Sequence, residues 1–202
     1  MKKLIIAITL FVSVSAYSQE LSRLFSEKDM TFYGLDFTAA KCIGMSEFPG
    51  GDEMVDFYIP KWNDIFMVGK KKIRIGSPYK MKKVSYDTMV YQLNRQIVRD
   101  ELIMDGSHSL KRSQIADIVY NFADKEKDGL GLVYIVESLN ANEGFASIWI
   151  SFFDIKTGEL IIAEPTRGEG KGREFGIFWE NAILRAYINS ADDFKTWKKL
   201  YD

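Results

Sequence analysis

The feature that most constrains the fold is an unbroken apolar run from Leu132 to Val136 in the second half of the chain. The run is rich in β-forming residues and lacks polar alternation, which is typical of a strand buried on both faces. Two more strand-like segments follow at 148–153 and 159–163, and Lys156-Thr157-Gly158 between them has the composition of a tight hairpin. This order predicts a C-terminal three-stranded antiparallel meander.

The clearest helix begins near Glu174, where apolar and aromatic residues recur at helical spacing. The stripe consists of Phe175, Phe178, Trp179, Ala182, Ile183, Ala186 and Tyr187. We expect this face to pack against the meander, and we expect Phe194 and Trp197 to lie on a further short helix. The predicted class is therefore α+β, with an antiparallel sheet and helices packed mainly on one face.

The first half of the chain is less regular. Its predicted elements are a strand over 31–37 that Lys41–Ile43 extends, a helix over 54–66, an edge strand around 73–75, and helices over 85–97 and 115–122. Pro60 interrupts the first of these helices. Because proline lacks a backbone donor and clashes with the previous turn, we expect either a kink or a new helix start there.

The N-terminus has the three parts of a secretory signal peptide. Met1-Lys2-Lys3 is basic, Leu4 to Val14 is an apolar stretch of eleven residues, and the small residues Ala16 and Ser18 precede a cleavage site. A membrane span needs about 20 apolar residues, so we expect cleavage rather than stable membrane insertion. The prediction is a signal peptide over 1–18 and a single α+β domain over 19–202, exported to the periplasm or beyond the cell.

Composition excludes several classes of function. Removing Lys2 and Lys3 from 27 basic residues leaves 25 against 28 acidic residues, a net charge of −3, which gives no reason to expect nucleic-acid binding. Cys42 and His108 are the single cysteine and the single histidine of the sequence. An internal disulfide and a cysteine-rich or histidine-rich metal site are therefore excluded. We predict no catalytic residue, no metal and no cofactor.

The glycine-rich segment from Gly168 to Arg173 is the first candidate binding element. It lacks the hydroxyl residue that a phosphate-binding loop places after its lysine, and it does not have the dinucleotide-binding glycine spacing. Two interpretations remain, a mobile connection between the last strand and the last helix, or a generic anion site that uses Lys171 and Arg173.

Two carboxylates are the other candidates. Glu137 follows the apolar strand, where it is either a buried acid with a raised pKa or a residue that faces solvent at the strand end. Asp154 ends the next strand and either takes part in hydrolysis or fixes the hairpin through its carboxylate. An enzyme is favoured if Glu137, Asp154 or Glu143 shares a concave pocket with Arg173.

The order of several motifs resembles a family of small exported bacterial cell-envelope proteins, a domain of unknown function. The motifs are Phe32–Phe37, Gly131–Asn140, Phe152–Thr157 and the glycine-rich loop before Phe178-Trp179. More remotely, the layout resembles periplasmic α/β accessory domains, although this chain lacks a lipidation cysteine near the cleavage site. The resemblance carries over no functional residue.

Because no catalytic constellation is present, we expect an exported, non-enzymatic binding or accessory protein of the cell envelope. Its partner would be a protein or another envelope component. The alternatives are a carboxylate-dependent hydrolase and an anion- or glycan-binding protein.

Overall fold

The computed structural model describes residues 22–68 and 73–201, the last two of these by their backbone alone. The predicted signal peptide over 1–18 lies outside the described residues. Residues 22–26 are helical.

Seven strands form one sheet. They are β1 (Asp29–Asp36), β2 (Lys41–Ile43), β3 (Lys83–Tyr86), β4 (Ile103–Met104), β5 (Leu130–Asn140), β6 (Phe145–Asp154) and β7 (Leu160–Glu169). The helices are α1 (Gly51–Glu53), α2 (Ile59–Met67), α3 (Met89–Asn94), α4 (Arg99–Leu102), α5 (Arg112–Tyr120) and α6 (Phe175–Tyr201). A short 3₁₀ turn at Met45–Glu47 follows β2, and a π-helical segment at Met54–Tyr58 joins α1 to α2.

The strand β5 is the centre of the sheet. On one side it pairs in parallel with β1 and then with β2, which lie end to end along it. Beyond them, β3 pairs in parallel with β1 and β4 with β2. On its other side β5 pairs antiparallel with β6, which pairs antiparallel with β7.

The predicted antiparallel α+β class is wrong, because the five ordered strands β3, β1, β5, β2 and β4 are all parallel and the fold is α/β. Parallel strands need long crossover connections, and here the segments between β1 and β5 supply them with helices. The continuous apolar run of β5 is the sequence signal of a strand that is buried on both faces, and it does not specify the direction of the neighbouring strands.

Helices cover both faces of the sheet, so the predicted packing of helices mainly on one face is also wrong. The first core lies between the sheet and the helices α2 and α6, and Leu132 and Tyr134 of β5 point into it. The second core lies between the opposite face and the helices α3 and α5, and Val133 and Ile135 point into that one. Successive residues of a strand face opposite sides, so one apolar run serves both cores.

The new helix start predicted at Pro60 is confirmed to within one residue, whereas the edge strand, the helix over 85–97 and the C-terminal helix differ from their predictions. The π-helical segment ends beside Pro60, where the Ile59 N–H donates to the Met54 carbonyl, and α2 then begins. The wider turn accommodates a residue that has no N–H to donate. The edge strand is β3 rather than the segment around 73–75, and α3 begins only after it. The helix α6 continues through Phe194 and Trp197, which need no separate helix.

Candidate functional site

A crevice of about 310 Å³ opens where the parallel strands β2 and β5 end and the helix α6 begins. Open α/β sheets hold ligands in crevices outside the carboxyl ends of their strands, so this is the expected place for a site. We call it the Arg173 crevice, and it is lined by Glu47, Ala141, Gly172, Arg173, Phe175, Phe178 and Trp179.

The strand ends position one wall of the crevice. Ala141 directly follows β5, and its N–H donates to the carbonyl of Ile43 at the end of β2 at 2.9 Å. Glu47 stands on the 3₁₀ turn that follows β2. The two residues are far apart in sequence, and the parallel pairing of β2 with β5 brings them to one edge of the sheet.

The glycine-rich segment forms the opposite wall. Gly168 still belongs to β7, and the Gly170 N–H donates to the Gly144 carbonyl at 2.8 Å. A side chain on Gly170 would overlap the ring of Phe178, which lies directly against it. Gly172 has a φ of 127°, a left-handed conformation that turns the chain into α6. The segment is therefore packed against the helix, which argues against the interpretation as a mobile connection.

The polar groups of the crevice lie at its mouth. Arg173 is exposed, and its guanidinium has no hydrogen-bond or ion-pair partner among the described residues. Glu47 is exposed too and accepts a long hydrogen bond of 3.4 Å from the Ser46 hydroxyl. A guanidinium that only donates and a carboxylate that only accepts therefore line the same concavity.

Aromatic rings form the floor. Trp179 is buried and stacks on Phe48 with ring centroids 5.4 Å apart. Phe178 stands perpendicular to Trp179 at 5.1 Å, and Phe175 stands perpendicular to Phe48 at 5.6 Å. The helix α2 holds the first turn of α6 in place, because the Trp62 indole N–H donates to the Gly176 carbonyl at 3.1 Å. The crevice thus combines a rigid apolar floor with two charged groups at its rim.

Of the four candidate residues predicted from the sequence, Arg173 lines the crevice and Lys171 lies two residues before it. The Lys171 carbonyl accepts a hydrogen bond from the Asn181 side-chain amide at 2.6 Å, which fixes the loop to α6. The Lys171 side chain is exposed.

Glu137 is a positioning group inside the protein. It sits at a register shift between β5 and β6, and its Oε1 accepts hydrogen bonds from the Leu110 N–H at 2.7 Å and the Trp149 indole N–H at 3.2 Å. Both donors belong to the second core or its border, so this carboxylate ties the segment before α5 to the sheet.

Asp154 fixes the hairpin between β6 and β7. Its Oδ1 accepts hydrogen bonds from the Thr157 N–H at 3.0 Å and the Thr157 hydroxyl at 3.2 Å, and its Oδ2 accepts one from Arg23 at 2.6 Å. Partial burial alone would raise the pKa of this carboxyl group, but the Arg23 and Thr157 hydrogen bonds outweigh it and lower the pKa.

The carboxylates of Glu137 and Asp154 lie too far apart to act on one substrate bond. Asp154 pairs with Leu130 at the start of β5, whereas Glu137 lies seven residues further along that strand, about 23 Å away at the usual rise per residue. Paired carboxylates in glycoside hydrolases stand only about 5–9.5 Å apart. Glu143 lies beside Arg167 at 3.6 Å. None of Glu137, Asp154 and Glu143 lines the Arg173 crevice.

Other reactive groups are held away from the crevice. Cys42 is buried in β2, and burial raises the pKa of its thiol to about 12, so the thiolate is not formed near neutral pH. His108 is half-buried and its Nε2 lies 3.0 Å from the Ala39 carbonyl, to which it donates. Within the described part of the chain, no three metal-ligating side chains group together. No helix over those same residues has the length and apolarity to cross a membrane.

Neither a family model nor a curated protein matches this chain. The resemblance to exported cell-envelope proteins therefore stays a prediction.

Proposed function

We propose that this chain is an exported, non-enzymatic binding protein of the cell envelope whose ligand enters the Arg173 crevice. One observation carries the proposal: a guanidinium that has no partner among residues 22–68 and 73–201 stands at the rim of a concave, aromatic-floored site at the carboxyl ends of parallel strands. The basic, apolar and small-residue sequence of 1–18 supports the export.

The dimensions of the crevice suit a small ligand. Small-molecule sites have volumes of about 300–1,000 Å³, so about 310 Å³ accommodates one small polar molecule or the end of a longer one. The guanidinium presents several donors in a fixed plane, and the Glu47 carboxylate accepts hydrogen bonds from the ligand. The distance between Glu137 and Asp154 supports binding without hydrolysis, since these carboxylates cannot act on one bond together.

The indole N–H resonances of the four tryptophans test the proposal. A ¹H–¹⁵N correlation spectrum, assigned with single Trp→Phe variants, is followed during titration with glucose, glucuronate and inorganic phosphate. We expect at least one probe to shift the Trp179 resonance while the Trp149 resonance, which belongs to the second core, stays in place. Arg173→Ala is expected to weaken that binding about tenfold, the equivalent of about 1.4 kcal/mol.

Arg185→Ala is the matched control, because Arg185 is also exposed but lies on α6 ten residues beyond its start, and its removal deletes the same charge. It should leave the affinity unchanged. The proposal fails if no probe moves the Trp179 resonance at millimolar concentration. It also fails if both arginine variants weaken binding equally, since the effect would then be general electrostatic attraction.

A further inference from the structure

Six aromatic side chains form a continuous row that begins in the Arg173 crevice and leaves it. In order they are Phe178, Trp179, Phe48, Phe175, Tyr58 and Phe57, and we call them the aromatic row. The centroids of successive rings are 5.1, 5.4, 5.6, 4.7 and 5.0 Å apart. Residues of α6, the π-helical segment and the chain after β2 all contribute, so the row depends on the tertiary fold.

The row rises from the core to the surface. Trp179 and Phe48 are buried and form its base, whereas Phe178, Phe175 and Tyr58 are half-buried. At the far end Phe57 is 53% exposed. Tyr58 and Phe57 therefore continue the apolar surface of the crevice into solvent, and exposed apolar patches beside a crevice mark interaction sites.

Charges of both signs flank the row. The Lys61 ammonium lies 5.4 Å from the centre of the Phe57 ring, and Arg173 stands at the other end. Glu47 lies in the crevice, and Asp56 adjoins Phe57 in the chain, where its carboxylate pairs with Arg99 at 2.7 Å. A polyanion would meet the acidic groups and a polycation the basic ones. A neutral ligand rich in hydroxyl groups can donate to the carboxylates and accept from the cations.

Aromatic faces add a second requirement. The face of an aromatic ring carries partial negative charge, and the C–H groups on one side of a sugar ring carry partial positive charge, so the two stack favourably. We propose that the aromatic row binds a neutral oligosaccharide, with one sugar unit in the Arg173 crevice and further units on the half-buried Tyr58 and the exposed Phe57. This inference rests on the proposed function, because it names the class of ligand that the crevice takes.

The test measures affinity as a function of chain length. The full mature chain is titrated with cello-oligosaccharides and N-acetylated chito-oligosaccharides from the monomer to the hexamer, with the Trp179 indole resonance as the readout. Oligogalacturonates of matched length form the anionic arm. We expect the affinity for the neutral series to rise at least about tenfold with length and then to level off, since the added units reach Tyr58 and Phe57 and no further ring of the row.

Phe57→Ala separates the row from the crevice. It should abolish the gain with length but leave the monomer affinity unchanged, because Phe57 does not line the crevice. Tyr120→Ala is the matched control, since Tyr120 is 65% exposed on α5, which covers the opposite face of the sheet. It should preserve both the monomer affinity and the gain with length, and circular dichroism checks that each variant is folded.

The outcomes distinguish the two proposals. If the neutral monomer binds but neither chain length nor Phe57→Ala changes the affinity, the aromatic row is not a binding surface and the proposed function stands. Tighter binding of the oligogalacturonates, or binding of phosphate alone, overturns the neutral-oligosaccharide inference and leaves the crevice as a site. If no compound moves the Trp179 resonance, both proposals are wrong.

Discussion

Asp36 is a fully buried carboxyl group whose two oxygens have different surroundings. It lies at the end of β1 with 1% of its surface exposed. Its Oδ1 accepts hydrogen bonds from the Thr38 N–H at 2.8 Å and the Thr38 hydroxyl at 2.6 Å, whereas its Oδ2 has no partner among the described residues. Burial raises the pKa of Asp36 above 3.8, and the Thr38 hydrogen bonds oppose that rise only in part. The native protein therefore holds the Asp36 proton more tightly than a water-exposed aspartate does.

The raised pKa of Asp36 predicts that its contribution to the free energy of unfolding depends on pH. The native state binds the Asp36 proton more tightly than the unfolded chain does, so the contribution of Asp36 to the free energy of unfolding falls as pH rises above 3.8. The fall continues until pH exceeds the native pKa.

Asp36→Asn tests this, because asparagine keeps an oxygen acceptor for Thr38 but does not titrate. Urea unfolding of both proteins should give a difference in unfolding free energy that favours the wild type most near pH 4 and declines towards neutral pH. A difference that stays constant with pH would mean that Asp36 is ionised in the native protein.

At the scale of elements, the contact between β7 and α6 depends on a single glycine. A side chain on Gly168 would overlap the backbone carbonyl of Ala182 and the backbone nitrogen of Ala186. Helix backbone cannot move aside as a flexible side chain can, so strand and helix approach this closely only over glycine. The same approach seats the first turns of α6 beside the Arg173 crevice.

Gly168→Ala is therefore expected to lower the free energy of unfolding by about 3 kcal/mol or more, in the range of overpacked cores. Gly50→Ala is the matched control, because a side chain there has no heavy atom within 4 Å and φ is −54°. Its cost should be about 1 kcal/mol or less, the usual effect at a helix N-terminus. Chemical denaturation of both variants provides the comparison. Equal costs would show that α6 does not sit on β7 as described.

Strands and helices with a local apolar pattern could be predicted from the sequence. Which strands pair with each other in the sheet could not be predicted. The apolar runs of β5 and β6 and the stripe of α6 are properties of short windows, and each produced the expected element. The pairing of β1 with β5 joins segments about a hundred residues apart. Apolar patterning does not specify whether such strands run parallel or antiparallel.

Two asparagine side chains hydrogen-bond to the backbone of β1 in place of a neighbouring strand. The sequence does not predict them, because these contacts also join segments that are far apart in the chain. Buried Asn63 accepts from the Leu35 N–H and buried Asn94 accepts from the Phe37 N–H, both at 2.8 Å, and both amides donate to the Leu35 carbonyl. They satisfy the backbone of β1 where its pairing becomes irregular. In the crevice, the glycine-rich segment before α6 is a local sequence signal that predicts Arg173 as a binding residue. Glu47 and Phe48 have no such signal, because only the parallel pairing of β2 with β5 brings them to the site.

On the scale of the whole molecule, one sheet separates two apolar cores and belongs to both. Alternate residues of β5 enter each core, so neither core can lose its packing while the sheet stays intact on the other side. The helices on one face of the sheet and those on the other pack against different sides of the same strands. This arrangement favours unfolding of both layers in one cooperative step.

Matched substitutions in the two cores test that cooperativity. Ile150→Ala removes a fully buried side chain from the first core, and Ile115→Ala removes one from the second. Each should lower the free energy of unfolding by about 2–5 kcal/mol, because a buried cavity replaces the lost atoms. Urea transitions followed by far-ultraviolet circular dichroism and by tryptophan fluorescence should stay coincident in both variants. Trp62, Trp179 and Trp197 report on the first core and Trp149 on the second. Non-coincident transitions in Ile115→Ala alone would mean that the α3 and α5 layer unfolds independently of the sheet.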